Sequence, residues 1–443
     1  MTPEHAGPDA SDAAGAPDRS DNDVAVPSGS GALSASEEDE GAHSQNAAQI
    51  SNTTSAVRSA NGASSSSTGN KSRWRDYGRD ETPFLFDARQ PGMEPIYGAL
   101  DLGTNNCRLL LAKPSRRGFR VIDAFSRIIR LGEGVSQTGR LSDLAMGRTM
   151  EALRVCAGKL KRHNVARARL VATQACRVAA NGPAFIADVK DSFDLDIEIL
   201  TPETEAHLAV AGCATLIDPS ADYVLVFDIG GGSSEIIWLD MTRLRSRHDV
   251  LTGRSDVNDA IVAWESLPVG VVTLAEHFGG RNVTGGSFAA MSEAVTELLL
   301  PFERRHRFHE RLNGRTVHFL GTSGTVTTIA GVMLGLDRYD RKRVDGIWLG
   351  IDDIKNVTSD LLAQTYEERI HQPCIGRERA DLVLAGCAIL EAILKMWPSE
   401  RLRVADRGLR EGILMRLMME DGVWRSGRRR RGRSRRGKGA PRS

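Results

Sequence analysis

Two short stretches carry the residues best suited to chemistry: "YGALDLGTNNCRLLLA" (Tyr97 to Ala112) and "YVLVFDIGGGSSEIIWL" (Tyr223 to Leu239). Each runs from an apolar segment through Asp, an aliphatic residue and Gly into small polar residues, then back into an apolar segment. Either alone reads equally well as an ordinary hairpin turn, since Asp, Gly and Asn are favoured there. Aligning Asp101 with Asp228 puts Gly103 on Gly230 and Leu109, Leu110 and Leu111 on Ile236, Ile237 and Trp238, so the pattern is a repeat. Successive backbone N–H groups in such a turn form an anion-binding concavity, and glycine lets a phosphate approach with no Cβ in the way. The expected phosphate donors are Gly103, Thr104, Asn105 and Asn106 in the first turn and Gly230, Gly231, Gly232, Ser233 and Ser234 in the second. Asp101 and Asp228 repel phosphate and suit a divalent cation or its waters instead.

These turns need strands and helices to hold them. Ile96–Leu100, Arg108–Ala112 and Phe119–Ala124 read as three strands with short connections. Leu141–His163 carries apolar residues at helical spacing; Ala168–Ala175 and Ile197–Leu200 read as strands, and Pro183–Ser192 and Glu203–Leu216 as helices. After "IDPSAD" (Ile217 to Asp222) the pattern starts again. Strands are expected at Tyr223–Ile229, Ser234–Leu239, Ala263–Leu267 and Thr316–Leu320, a glycine-rich strand-to-helix turn at Gly321–Thr325, a helix at Arg377–Trp397, a strand at Leu402–Ala405 and a helix at Leu409–Met419. Two mixed sheets covered by helices follow, an α/β architecture of two similar halves facing a cleft. The expected division is a tail over 1–93, one domain over 94–219, a second over 220–422 and a tail over 423–443.

The formal charge of +1 over 443 residues averages an acidic front, including "SEEDE" (Ser36 to Glu40), against the Arg-rich "RSGRRRRGRSRRGKGAPR" (Arg425 to Arg442). Both ends are too poor in apolar residues to offset chain entropy and are expected to be disordered. The basic tail is suited to a polyanion, nucleic acid or polyphosphate. The six cysteines show no CxxC spacing and the histidines no metal-site spacing. With no secretory signal and no apolar run of about 20 residues, the expected compartment is the cytoplasm.

Taken together, the paired Asp-x-Gly turns resemble the phosphate-binding motifs of the actin and sugar-kinase superfamily. Within it, "DIGGGSSE", "LTPETEAHLAVAG" and "GTSGTVTTIAG" resemble the exopolyphosphatase/guanosine pentaphosphate phosphatase (Ppx/GppA) family over about Ile96 to Asp421, in its short two-domain form. The resemblance implies two tandem ribonuclease H-like domains, Mg2+ or another divalent cation held by Asp101, Asp228 and Glu235, and hydrolysis of a terminal phosphoanhydride. It gives Glu205 the task of activating water, with Glu235 as the second acid and Arg177 in "ATQACR" as a phosphate ligand. From the residues alone Glu205 reads as a solvated helix charge with Glu203 as a competing base, and Arg177 as a partner for a nearby acid.

The implied substrate is polyphosphate, with pppGpp as the alternative and a non-catalytic polyphosphate or nucleotide sensor as the reading of another class. A homodimer is a candidate assembly. The Arg-rich tail is expected to add grip on long polymers. Two departures from the family pattern stand out: Asn106 where a hydroxyl is usual, and Arg407 where a small residue is usual, read either as a cation near the cleft or as a surface change.

Overall fold

The computed structural model describes residues 94–116, 118–244 and 256–424, so the expected tail over 1–93 with "SEEDE", and the expected tail over 423–443 except Val423 and Trp424, with the Arg-rich run, lie outside the described residues. The first sheet is built by β1 (Tyr97–Leu102), β2 (Asn106–Ser115), β3 (Gly118–Ile128), β4 (Arg167–Ala172) and β5 (Ile197–Ile199), in the order β3-β2-β1-β4-β5. β1, β2 and β3 form an antiparallel meander, and β4 and β5 then add in parallel. The second sheet repeats this with β6 (Tyr223–Ile229), β7 (Ser234–Asp240), β8 (Ile261–Leu267), β9 (Val317–Thr322), β10 (Trp348–Gly350) and β11 (Arg401–Ala405). Its order, β10-β11-β9-β6-β7-β8, is the first order with β10 added antiparallel at one edge. Both halves therefore have the ribonuclease H-like layout that the resemblance implies.

Ten principal helices cover the sheets: α1 (Asp143–Arg162), α2 (Gln174–Val178), α3 (Gly182–Phe193), α4 (Pro202–Cys213), α5 (Val271–Phe278), α6 (Gly285–His306), α7 (Ser323–Met333), α8 (Ile351–Ala363), α9 (Val383–Met396) and α10 (Leu409–Glu420). Residues of α1 and α3 pack on one face of the first sheet, around Leu100, Leu109, Leu153, Phe185 and Val189. The other face takes Ile413, Leu414, Leu417 and Met418 of α10, which meet Tyr97, Ala99, Leu110 and Leu208. The last helix thus covers the first sheet, although the sequence-based division counts it with the second domain. α4 turns Ala206, Val210 and Cys213 toward the second sheet and crosses α10 with the backbones in contact. A Cβ on Gly412 would lie 1.9 Å from the Leu208 carbonyl oxygen, and one on Gly212 would lie 2.0 Å from that of Gly408. Any side chain there would force the two central helices apart.

On its outer face the second sheet packs an aromatic nucleus: Trp238 stacks on Phe308 with centroids 4.5 Å apart and meets Trp397 edge-on at 5.7 Å. Two expected elements differ from those observed, and one long helix has no counterpart among the expected elements. The strand expected to reach Ala175 ends at Ala172, because the chain turns at Thr173 into α2. The helix expected from Arg377 begins at Val383, residues 376–382 forming turns that border the cleft. The sequence pattern assigns nothing to α6, 22 residues long, because it opens on two glycines and contains Pro301; a capping box between Thr284 and Ser287 starts it all the same.

Candidate active site

The two Asp-x-Gly turns fold alike. Gly103 N–H donates to the Asn106 carbonyl at 2.9 Å, and Gly230 N–H donates to the Ser233 carbonyl at 2.9 Å. In each turn the neighbouring carbonyls are tied back by the segment that follows the third strand. Asn105 O accepts from Ile129 and Arg130, and Thr104 O from Gly132; Gly230 O accepts from Val271 and Gly231 O from Val272, at the start of α5. With their carbonyls held this way, the turns are left free to present N–H groups to an anion. They also touch: a Cβ on Gly231 would stand 3.0 Å from Thr104 Cβ, and one on Gly232 would stand 2.7 Å from Thr104 Oγ1. Small residues in the second turn are what let the two cradles meet.

Between them lies a cleft of about 590 Å3, lined by both turns, by Glu205 of α4, by Ser323 at the start of α7, by residues 373–379 and by residues 406–411. Four carboxylates face one another here: Asp101, Asp228, Glu205 and Glu235. Burial pushes Glu205 up to about 7; Arg177 opposes this, while Asp101 and Asp228 add to it. Burial likewise raises Asp228 to about 6, with Asp101 reinforcing it. Glu235 lies well above its usual range through burial and the nearby Glu205 and Asp228, and its Oε1 accepts from Ser233 at 2.8 Å and Ser266 at 2.9 Å. Burial raises Asp101 as well, against the pull of Arg108 and Arg410.

Such a set favours added positive charge. Among the described residues no group of three or more His, Cys, Asp or Glu side chains converges as a metal cage. Mg2+ needs no such cage, since one or two carboxylates, retained waters and substrate oxygens satisfy it. Among the described residues the buried side-chain oxygens of Asn105 and Asn106 have no hydrogen-bond partner; they are hard donors of the kind a hydrated cation seeks. The residues present therefore fit a divalent cation bound together with phosphate.

The Ppx/GppA phosphatase family model matches residues 111–421. The chain belongs to this family. A solved Ppx/GppA protein from Aquifex aeolicus is 27% identical, covering 74% of this chain and 99% of its own, with a TM-score of 0.60. A solved exopolyphosphatase-like protein is 26% identical over 74% of this chain and 99% of its own, with a TM-score of 0.62. An exopolyphosphatase from Cytophaga hutchinsonii is 24% identical over 74% of this chain and 98% of its own, with a TM-score of 0.63, and shares the fold. No helix among the described residues is long and apolar enough to cross a membrane.

In this Ppx/GppA family member Asp101, Gly103, Thr104, Asn105, Asn106, Asp228, Gly230, Gly231, Gly232, Ser233, Glu205 and Glu235 all line one cleft. Two expected residues do not. Ser234 is fully buried and its hydroxyl donates to the Val269 carbonyl at 2.7 Å. Arg177 lies behind Glu205: Nη1 donates to Glu205 Oε2 at 2.9 Å and to the Leu200 carbonyl at 2.8 Å, and Nη2 to Gln174 Oε1 at 2.8 Å. It holds the Glu205 carboxylate and does not itself line the cleft. Glu203 is exposed and does not line the cleft. Arg407 lines the cleft but is engaged by Asp345, with Nε to Oδ2 at 2.7 Å, and by Thr215.

Among the cleft residues in this family member to which sequence reasoning gave no role are Arg108, Arg410 and Ser323. Arg108 was within reach, since the internal repeat aligns it with Glu235. Ser323 sits at φ 83°, a rare conformation for a residue with a side chain, and its Oγ donates to the Ile229 carbonyl at 2.6 Å.

Proposed function

We propose that this phosphatase is an exopolyphosphatase, removing the terminal phosphoryl group of inorganic polyphosphate as orthophosphate. The observation that carries this reading is the placement of Glu205, a carboxylate with a pKa near 7, held by Arg177 at the wall of a cleft also lined by five arginines: Arg108, Arg377, Arg379, Arg407 and Arg410. A carboxylate so tuned can take a proton at neutral pH, and a row of guanidinium groups suits a substrate with a charge at every phosphorus.

In the reaction, water attacks the terminal phosphorus and its proton passes to Glu205. The new P–O bond forms as the bridging P–O bond opposite it breaks, leaving a polymer one unit shorter. The turn N–H groups hold the terminal phosphoryl oxygens, so catalysis is mostly positioning and charge neutralisation. Asp101, Asp228 and Glu235 would hold the Mg2+, which when bound neutralises phosphate charge.

The test is phosphate release by the purified full chain with Mg2+, with long-chain polyphosphate and pppGpp offered in parallel. Release from polyphosphate is expected, falling on the order of 100- to 10,000-fold in Glu205→Gln. Faster release from pppGpp would replace this reading with pppGpp hydrolysis. Tight binding of either without release by the wild type would make the protein a sensor.

A further inference from the structure

Arg410 lines the cleft, and among the described residues its guanidinium makes no hydrogen bond or ion pair. It stands in the first turn of α10, just before Glu411, which is 3% exposed. Glu411 does not need it as a hydrogen-bond partner: Oε1 accepts from Arg341 at 2.8 Å and Oε2 from Gly408 N–H at 3.0 Å. The turn leading into the helix lies against the second cradle, where a Cβ on Gly408 would be 3.8 Å from Asp228 Oδ2 and 3.2 Å from Thr322 Oγ1. Arg410 lines the same cleft as Gly103 to Asn106 of the first cradle and Gly230 to Ser233 of the second.

Arg108 lines the same cleft, is likewise half-buried and has no hydrogen bond or ion pair among the described residues; the remaining cationic groups near this point are differently placed. Arg177 is shared among Glu205, Leu200 and Gln174, Arg407 is paired with Asp345, and Arg379 donates to Thr328 Oγ1 at 3.3 Å. Arg377 is exposed at the rim. Arg410 is half-buried, lines the cleft, and among the described residues has neither a hydrogen bond nor an ion pair. A guanidinium carries five N–H donors in a planar fork that matches two phosphate oxygens. Leaving that fork unsatisfied in an enclosed site is unfavourable, and an anion relieves it.

We propose that Arg410 is the arginine that grips a substrate phosphoryl group between the two cradles, the role that the family resemblance gives to Arg177. Arg410 would contact substrate, whereas Arg177 holds the base in place. This rests on the phosphoanhydride reading above, and the test separates the two.

Inorganic tripolyphosphate is titrated calorimetrically into the full chain without added metal, using Glu205→Gln as background and adding Arg410→Met, Arg410→Lys or Arg177→Met. Arg410→Met should weaken binding about 10- to 100-fold. Arg410→Lys keeps the charge but loses the fork and should weaken it several-fold, while Arg177→Met should change it less than either. In the catalytically intact chain, Arg410→Lys should raise KM for polyphosphate more than it lowers kcat. Thermal unfolding identifies folded variants; Arg410→Lys serves if Arg410→Met does not fold. Unchanged tripolyphosphate affinity in a folded Arg410 variant would overturn the assignment and leave the hydrolase reading standing. Failure of the background protein itself to bind tripolyphosphate would remove both.

Discussion

The two halves present the same turn with opposite endings. The closing hydrogen bond of each is 2.9 Å, and the carbonyls of both turns are tied back by the segment beyond the third strand. Where the register sets Arg108 opposite Asp101, the second half sets Glu235 opposite Asp228. The first turn carries Thr104, Asn105 and Asn106, and the second carries Gly231, Gly232 and Ser233. Duplication supplied the geometry, and a few side chains divided the labour. At the turns, the first half contributes Arg108 and the side-chain amides of Asn105 and Asn106 to the cleft, and the second contributes Glu235 and the space left by Gly231 and Gly232.

Breaking the acidic side should have the largest effect. Glu235→Gln keeps the shape while removing a charge beside Asp228, and kcat should fall on the order of 100-fold or more. An unchanged kcat would mean that the carboxylate only anchors Ser233 and Ser266.

Next in size is the contact between the turns. In Gly232→Ala the new Cβ would meet Thr104 Oγ1 at 2.7 Å and Gln174 Cγ at 2.8 Å. Separating the cradles by part of an ångström should lower kcat/KM by up to about 100-fold. The companion change Thr104→Ala removes the Oγ1 that the new Cβ meets and should recover part of the loss in the double variant. Failure to recover would locate the fault within the second turn alone.

A smaller effect should come from the contacts that bridge the halves at the mouth. Arg130 reaches Asp381 through two hydrogen bonds of 2.9 Å, and Glu276 accepts from Gly134 N–H at 2.8 Å and from Ser136 Oγ at 2.6 Å. Arg130→Ala should raise KM several-fold, with a loss of about 1 kcal/mol for a part-exposed pair. Steady-state kinetics at two ionic strengths would check this, the wild type losing more of its advantage at high salt.

The smallest change is a shift along the pH axis. Glu205 can accept a proton only when ionised, so kcat/KM should rise as pH increases through about 7. Arg177 opposes the effect of burial on this group, so Arg177→Met should move the rising limb to higher pH. A limb that stays put would show that another group controls it.

Much of this arrangement was legible in the chain. The strand–Asp-x-Gly–strand repeat depends on local residue types, and it located both hairpins with Asp101, Asp228 and the glycines between the strands. Glu205 was readable only through the family resemblance, because one acid on a helix looks the same whether it faces water or a cleft. Ser234 was misplaced because its direction depends on strand register: the pleat turns it toward Val269, away from the cleft.

By itself the sequence determined the two duplicated turns, since backbone preferences of Asp, Gly and Asn act over a few residues. Only the tertiary structure decided which charges share the cleft. α10 follows the second sheet in the chain yet packs on the first, carrying Arg410 into the cleft that both turns line, while Arg177 is drawn back to Glu205. Those partners lie up to hundreds of residues apart, and burial of apolar faces, not local propensity, brings them together.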